Sequence, residues 1–195
     1  MSRLVRGIGV KGNKYFSSVD NKPIKEYRLW ESMLDRCTDK WKIKSPTYAD
    51  VYCSENFKSY TFFYEWCQTQ VGFGNIDSNN RYWHLDKDLL IKGNRVYSED
   101  TCVFIPQRLN NLLLKSDKRR GECPLGVFYR EDKGKFMGSC EPKGYLGLFN
   151  TEQEAFLAYK TYKEALIKDI AIEYEQHLDF RVYKSLIEYR VEFGD

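Results

Sequence analysis

The chain has 195 residues, 42% hydrophobic and 30% charged, enough for one domain or two small ones with a buried core and a polar surface. Its net charge is only +3, which excludes a global polycation and leaves any phosphate binding to local clusters of Lys and Arg. No apolar run approaches the roughly 20 residues that a membrane helix needs, and the opening MSRLVRGIGVKGNKYF lacks the apolar stretch of a signal peptide, so no membrane partner is expected.

In chain order, a strand and turn are expected from Gly7 to Phe16. A helix follows from Pro23 to Cys37, where Tyr27, Trp30, Met33, Leu34 and Cys37 recur at helical spacing. Lys40 to Tyr48 reads as a polar loop broken by Ser45-Pro46-Thr47. A second helix spans Asn56 to Gln70, with Phe57, Tyr60, Phe63, Trp66 and Cys67 on its inner side. A Gly- and Asn-rich loop, Gly72 to Asn80, leads into a strand that carries His84. After it come Asp86 and Asp88, a Lys92-Gly93-Asn94 turn, and a short helix with Ser98 as N-cap. Gln107 to Leu114 reads as a short helix or turn.

Residues 115–122 are polar, with four basic and two acidic members, and mark a boundary. The expected organisation is therefore an N-terminal module over 1–114, a basic linker over 115–122, and a C-terminal domain over 123–195. Three strands follow, Gly126 to Tyr129, Lys135 to Cys140 and Tyr145 to Phe149, joined by turns at Lys133-Gly134 and Lys143-Gly144. Thr151-Glu-Gln-Glu154 matches a capping box and opens a long helix with Phe156, Tyr159, Tyr162, Leu166, Ile170 and Tyr174 among its apolar positions. A three-stranded meander cannot bury both faces, so the helix covers one and leaves the other free to bind. Strand alternation puts Lys135, Met137 and Ser139 on one face and Phe136, Gly138 and Cys140 on the other. The tail from His177 reads as a further helix with Val182, Leu186 and Tyr189 on one side, able to pack on the long helix or to mediate self-association. The fold class is α+β.

Aromatic residues reach 16%, with 15 Tyr, a side chain that suits packing and also contact with bases and sugars. The six cysteines include no Cys-x-x-Cys pair, and with two histidines in the chain a structural zinc site is not expected. They read as reduced, mostly buried thiols of a cytosolic protein.

Two resemblances rest on these residues. Gly126-Val-Phe-Tyr-Arg130, Gly134-Lys-Phe-Met137, Leu146-Gly-Leu-Phe149 and Thr151-Glu-x-Glu-Ala155-x-x-Ala158-Tyr159 resemble an Apetala-type (ethylene-response-factor-like) DNA-binding domain. The resemblance implies an open sheet face in the major groove of double-stranded DNA. Lys135, Met137 and Ser139 would face the DNA, and Arg130, Lys133 and Lys143 would touch phosphates or bases from the strand end and the turns. Arginines on this sheet are fewer than that family usually carries. Tyr27-x-x-Trp30-x-x-Met33-Leu34-x-Arg36-Cys37, Pro46-Thr-Tyr48, Phe63-x-x-Trp66 and Leu85-Asp-Lys-Asp88 with Gly93-Asn94 resemble HNH-type (ββα-metal) endonuclease-like proteins of bacteriophages.

That second resemblance implies metal-dependent hydrolysis of DNA in the cytoplasm of an infected bacterium. His84 would be the general base and Asn94 would brace the loop, with Mg²⁺ or Mn²⁺ neutralising charge on the phosphate. Trp83 and Thr101 stand where that family has metal ligands, so the ligands would have to be Asp86, Asp88 or Asp100. Asp86 lies two residues from His84, on the same strand face. Without a metal site the same scaffold would be a non-catalytic DNA-binding or regulatory protein. A third reading is a protein that blocks a host factor through its sheet face. Lys118, Arg119 and Arg120 in the linker would lie along the DNA between the modules.

Overall fold

A computed structural model describes residues 3–114 and 123–194. The chain divides into two compact units, Met1–Pro106 and Gln107–Asp195. The boundary falls at Pro106 rather than at the polar run after Leu114, because the helix that begins after Pro106 packs with the second unit. The fold class is α+β, built from small sheets.

In the first unit the expected N-terminal strand is replaced by isolated bridges, Val5 to Gly9 and Val10 to Ser59. A two-residue hairpin follows, β1 (Ser18–Val19) against β2 (Lys22–Pro23), whose Asp20-Asn21 tip takes positive φ at both positions. Helix α1 (Lys25–Arg36) buries Trp30, Met33 and Leu34. The stretch expected as a polar loop contains α2 (Asp39–Lys44), capped by the Thr38 hydroxyl, which accepts from the Trp41 N–H. None of its residues is buried, so it carries no apolar period to betray it. β3 (Tyr52–Cys53) comes next. The expected helix from Asn56 begins as a 3₁₀ turn over Asn56–Lys58, and α3 (Tyr60–Thr69) starts only after the Ser59 cap.

The core between α1 and α3 is aromatic. Trp30 Nε1 donates to the Phe57 carbonyl at 2.8 Å, and Trp30 packs at 5.3 Å from the Tyr60 ring. Strand β4 (His84–Asp86) pairs antiparallel with β6 (Val103–Ile105), His84 opposite Ile105 and Asp86 opposite Val103. Trp66 of α3 meets Phe104 of β6 at 5.7 Å. β5 (Val96–Tyr97) pairs parallel with β3.

The second unit begins with α4 (Gln107–Leu113). Its centre is one antiparallel sheet in the order β7 (Val127–Arg130), β8 (Lys135–Cys140), β9 (Gly144–Phe149). Helix α5 (Glu152–Glu173) crosses one face of it, and both halves of the Thr151/Glu154 capping box are formed. Val127, Cys140, Ala155, Phe156, Tyr159 and Val191 form the core. Lys163 of α5 is buried at 3% exposure, its Nζ donating to the Tyr159 hydroxyl at 2.7 Å. The tail forms α6 (Phe180–Ile187), which buries Val182 and Leu186 and packs on α5. Beyond it, the Val191 N–H donates to Glu164 and its carbonyl accepts from Lys160. The apolar side proposed for self-association is thus occupied within the chain. All six cysteines are unbridged, four of them buried. Among the described residues no helix is long and apolar enough to cross a membrane.

Gly126 takes φ +77, and a Cβ there would lie 2.0 Å from Tyr159 Cδ2. Gly134, in the β7–β8 turn, takes φ +59 but faces open space. Gly126→Ala should therefore cost about 3 kcal/mol or more, from backbone strain plus displacement of the Tyr159 ring, and Gly134→Ala about 1 kcal/mol from strain alone. Denaturant unfolding of the two variants measures this, and equal losses would refute the packing account.

Candidate functional site

The first unit gathers its polar groups around β4. Leu85 points into the core, so His84 and Asp86 share the other side of the strand and both are half-buried. Burial, and then the nearby Arg36 guanidinium, hold the His84 imidazole below its ordinary value, so it is neutral at physiological pH. Arg36 sits in the last turn of α1, and its Nη1 donates to the Tyr97 hydroxyl at 3.1 Å. Among the described residues no carboxylate forms an ion pair with it. Arg36 figures in the sequence only as part of the helical motif from Tyr27 to Cys37, and neither it nor Tyr97 is assigned to the site by residue pattern. They lie 61 positions apart and meet only through the α1–β5 packing.

Asn94 braces the loop, as expected. Its Nδ2 donates to the carbonyls of Lys87 at 2.6 Å and Val96 at 2.8 Å, and its Oδ1 accepts from the Val96 N–H. Lys87, only 7% exposed, returns the bond from Nζ to the Asn94 carbonyl at 3.0 Å and reaches Asp88 at 3.1 Å. Asn94 is therefore a loop brace with each of these hydrogen bonds inside residues 87–96.

The carboxylates are arranged for turn geometry. Asp86 Oδ1 accepts the N–H groups of Asp88 at 3.0 Å and Leu89 at 2.8 Å, starting the turn that leaves β4. Burial, with the Asp88 carboxylate beside it, pushes Asp86 up to about 6. Asp100 is exposed in the turn beyond Tyr97. That turn corrects the expected Ser98-capped helix. The Ser98 carbonyl accepts from Thr101 and Cys102, one turn closes, and β6 begins at Val103. Thr101 is buried, its hydroxyl donating to the Val96 carbonyl at 3.0 Å, and Glu99 holds the turn to Ser54 and Asn56. Trp83 is a core residue at 5% exposure. Among the described residues no three His, Cys, Asp or Glu side chains come together as a metal shell. Asp86 Oδ1 is already taken by two backbone N–H groups, and Asp100 stands exposed in a separate turn.

The second unit offers a different surface. Register sets Phe128, Met137 and Leu148 directly across the three strands, with Arg130 opposite Lys135 at one end and Ser139 opposite Tyr145 at the other. Strand alternation turns these away from the face that α5 covers, while Phe128 and Ser139 at the β7 side also border a cavity shared with Tyr159, Lys163 and Leu166 of α5. Phe136, Gly138 and Cys140 lie on the covered side, as strand alternation requires. Arg130 is held by Asp132 through Nε at 3.0 Å and Nη2 at 3.1 Å. Lys133 is exposed in the same turn. Lys143 does not join them. Its Nζ lies 5.6 Å from the Tyr162 ring of α5, on the covered side. Lys118, Arg119 and Arg120 fall outside the described residues.

Compared with protein-family models, with characterised proteins and with solved structures, the chain matches none.

The Asp86 environment has a consequence for stability. Its folded-state value of about 6 lies above the ordinary 3.8, so folding takes up a proton between these values. The stabilisation is full below pH 4 and is lost as pH rises through 6, where the buried carboxylate ionises at a cost of about 1–3 kcal/mol. Asp86→Asn keeps an acceptor for the two N–H groups and removes that charge. It should raise the unfolding midpoint at pH 7.5, with the difference shrinking as pH falls through 6 and closing only below the unfolded value of 3.8. A difference that does not vary with pH would show that charge burial is not its source.

Proposed function

We propose that the protein binds double-stranded DNA through the outward face of the β7–β9 sheet. One observation carries this reading. Arg130 and Lys135 stand directly opposite each other on adjacent strands, an arrangement that like-charge repulsion disfavours and that Asp132 offsets only on the Arg130 side. An anion along that edge relieves it, and Lys133 adds a third cation in a turn that also carries Glu131 and Asp132. Among the described residues no carboxylate occupies an outward strand position of this face. A narrow ribbon of strands fits the major groove, where it meets phosphates at its rim and base edges at its centre. The reading implies action on DNA in the cytoplasm of a bacterial cell.

Metal-dependent cleavage at His84 is the second reading. It is favoured by the neutral imidazole beside Arg36, a base next to a cation that suits a phosphodiester. The carboxylates around it give the metal no shell, so binding without cleavage is the better-supported function.

The test pairs a gel shift with a plasmid assay. Affinity for duplex DNA should fall steeply with salt. Lys135→Ala should lower that affinity and reduce the salt slope by about 1, the value of a single neutralised phosphate. Supercoiled plasmid should stay intact with Mg²⁺ or Mn²⁺. Metal-dependent nicking abolished in His84→Ala would replace the binding-only reading with the nuclease. Affinity insensitive to salt and to Lys135 would overturn the sheet as a DNA surface.

A further inference from the structure

We infer that the outward sheet face recognises thymine methyl groups, and that its preferred duplex is rich in A·T pairs. The inference rests on the DNA-binding reading and deepens it. The centre of the face is an unbroken apolar row, Phe128, Met137 and Leu148, one residue from each strand and in direct register. Phe128 is 37% exposed and Leu148 36%, with Met137 half-buried between them, so the two flanks of the row reach solvent. Neighbouring strands lie about 4.8 Å apart, so three side chains in register span about 10 Å, within a major groove about 12 Å wide.

The chemistry of base edges then decides what the row can meet. In the major groove the thymine C5 methyl is the apolar group, and the other edges present N–H donors or lone pairs that an apolar row leaves unpaired. Guanine is best read by a guanidinium offering two N–H groups. Arg130 has Nε and Nη2 engaged by Asp132 and stands at the end of the row, beyond its centre. Adenine is read by Asn or Gln, and the outward strand positions hold neither. Ser139 and Tyr145, at the other end, carry hydroxyls that donate or accept and so discriminate little. The face therefore combines phosphate attraction at Arg130, Lys133 and Lys135 with a centre matched to methyl groups. The charge at that rim is what commits the face to DNA rather than to a protein.

The experiment uses the full chain and three duplexes of equal length. One is A·T-rich, the second is identical with deoxyuridine in place of every thymine, and the third is G·C-rich. Deoxyuridine removes the methyl from the major-groove edge and leaves the base-pairing edge unchanged. The thymine duplex should bind about five- to tenfold more tightly than the deoxyuridine duplex, and the G·C duplex should resemble the latter. Met137→Ala should bring the thymine and deoxyuridine affinities together while keeping their salt dependence. Equal binding of thymine and deoxyuridine duplexes by the parent protein, with salt dependence intact, overturns methyl recognition and leaves DNA binding standing. Absence of salt-dependent binding to any duplex, or binding confined to single strands, overturns both.

Discussion

Three strands are too few to enclose a core between two faces, so the second unit depends on one contact, α5 against the covered side of the β7–β9 sheet. Most of its special features serve that contact. The capping box sets where α5 starts, and Gly126 lets the Tyr159 ring lie against the entry to β7. Val191, fastened by Lys160 and Glu164, closes the far side. Because the period of a strand is two, each residue committed to α5 commits its neighbours to the opposite face. Phe136, Gly138 and Cys140 under the helix leave Lys135, Met137 and Ser139 outward, whatever those residues then do.

The second unit was also the part most legible in the sequence, and for the same reason. Its turns are marked by glycines at Gly134 and Gly144, both at positive φ, its strands alternate, and its long helix announces its own start. The first unit was harder. Helix α2 buries nothing, so its only signature is the Thr38 cap. The segment after Tyr97 carries a good cap residue in Ser98, yet the apolar run Val103–Ile105 is recruited into pairing with β4, and the turn stops after one cycle. Local capping chemistry and long-range pairing competed, and pairing prevailed. The same holds for the boundary, where the polar run after Leu114 has the composition of a linker although α4, ahead of it, already belongs to the second unit.

At the candidate site the sequence indicated neighbours but not their purpose. His84 and Asp86 do share a face, and Asn94 does brace its loop. The spacing of Asp86, Asp88 and Asp100 is compatible with ligation. What it cannot reveal is that Asp86 is claimed by two backbone N–H groups and that burial favours its neutral form. Arg36 and Tyr97, which give the cluster its charge, come from elements whose meeting depends on the whole packing of the unit.

The two units therefore present opposite electrostatic designs. Around β4 the charges face inward. Lys87 is sunk against the Asn94 carbonyl, Asp86 is held near neutrality, and Arg36 is capped by a phenol. Such groups stabilise a loop and respond weakly to salt, because buried charges are poorly screened. On the sheet, Arg130, Lys133 and Lys135 stand in water, where charges contribute little to folding and much to the attraction of a polyanion. With a net charge of only +3, the chain has no general affinity for nucleic acid to draw on. Under the proposed reading, attraction would come from this cluster, and discrimination from what lies between its cations and the far edge of the sheet, the row Phe128, Met137, Leu148. In that DNA-binding reading, an apolar centre behind a cationic rim would separate two tasks: the rim would set how tightly any duplex is held, and the centre which duplex approaches without leaving its polar edges unpaired.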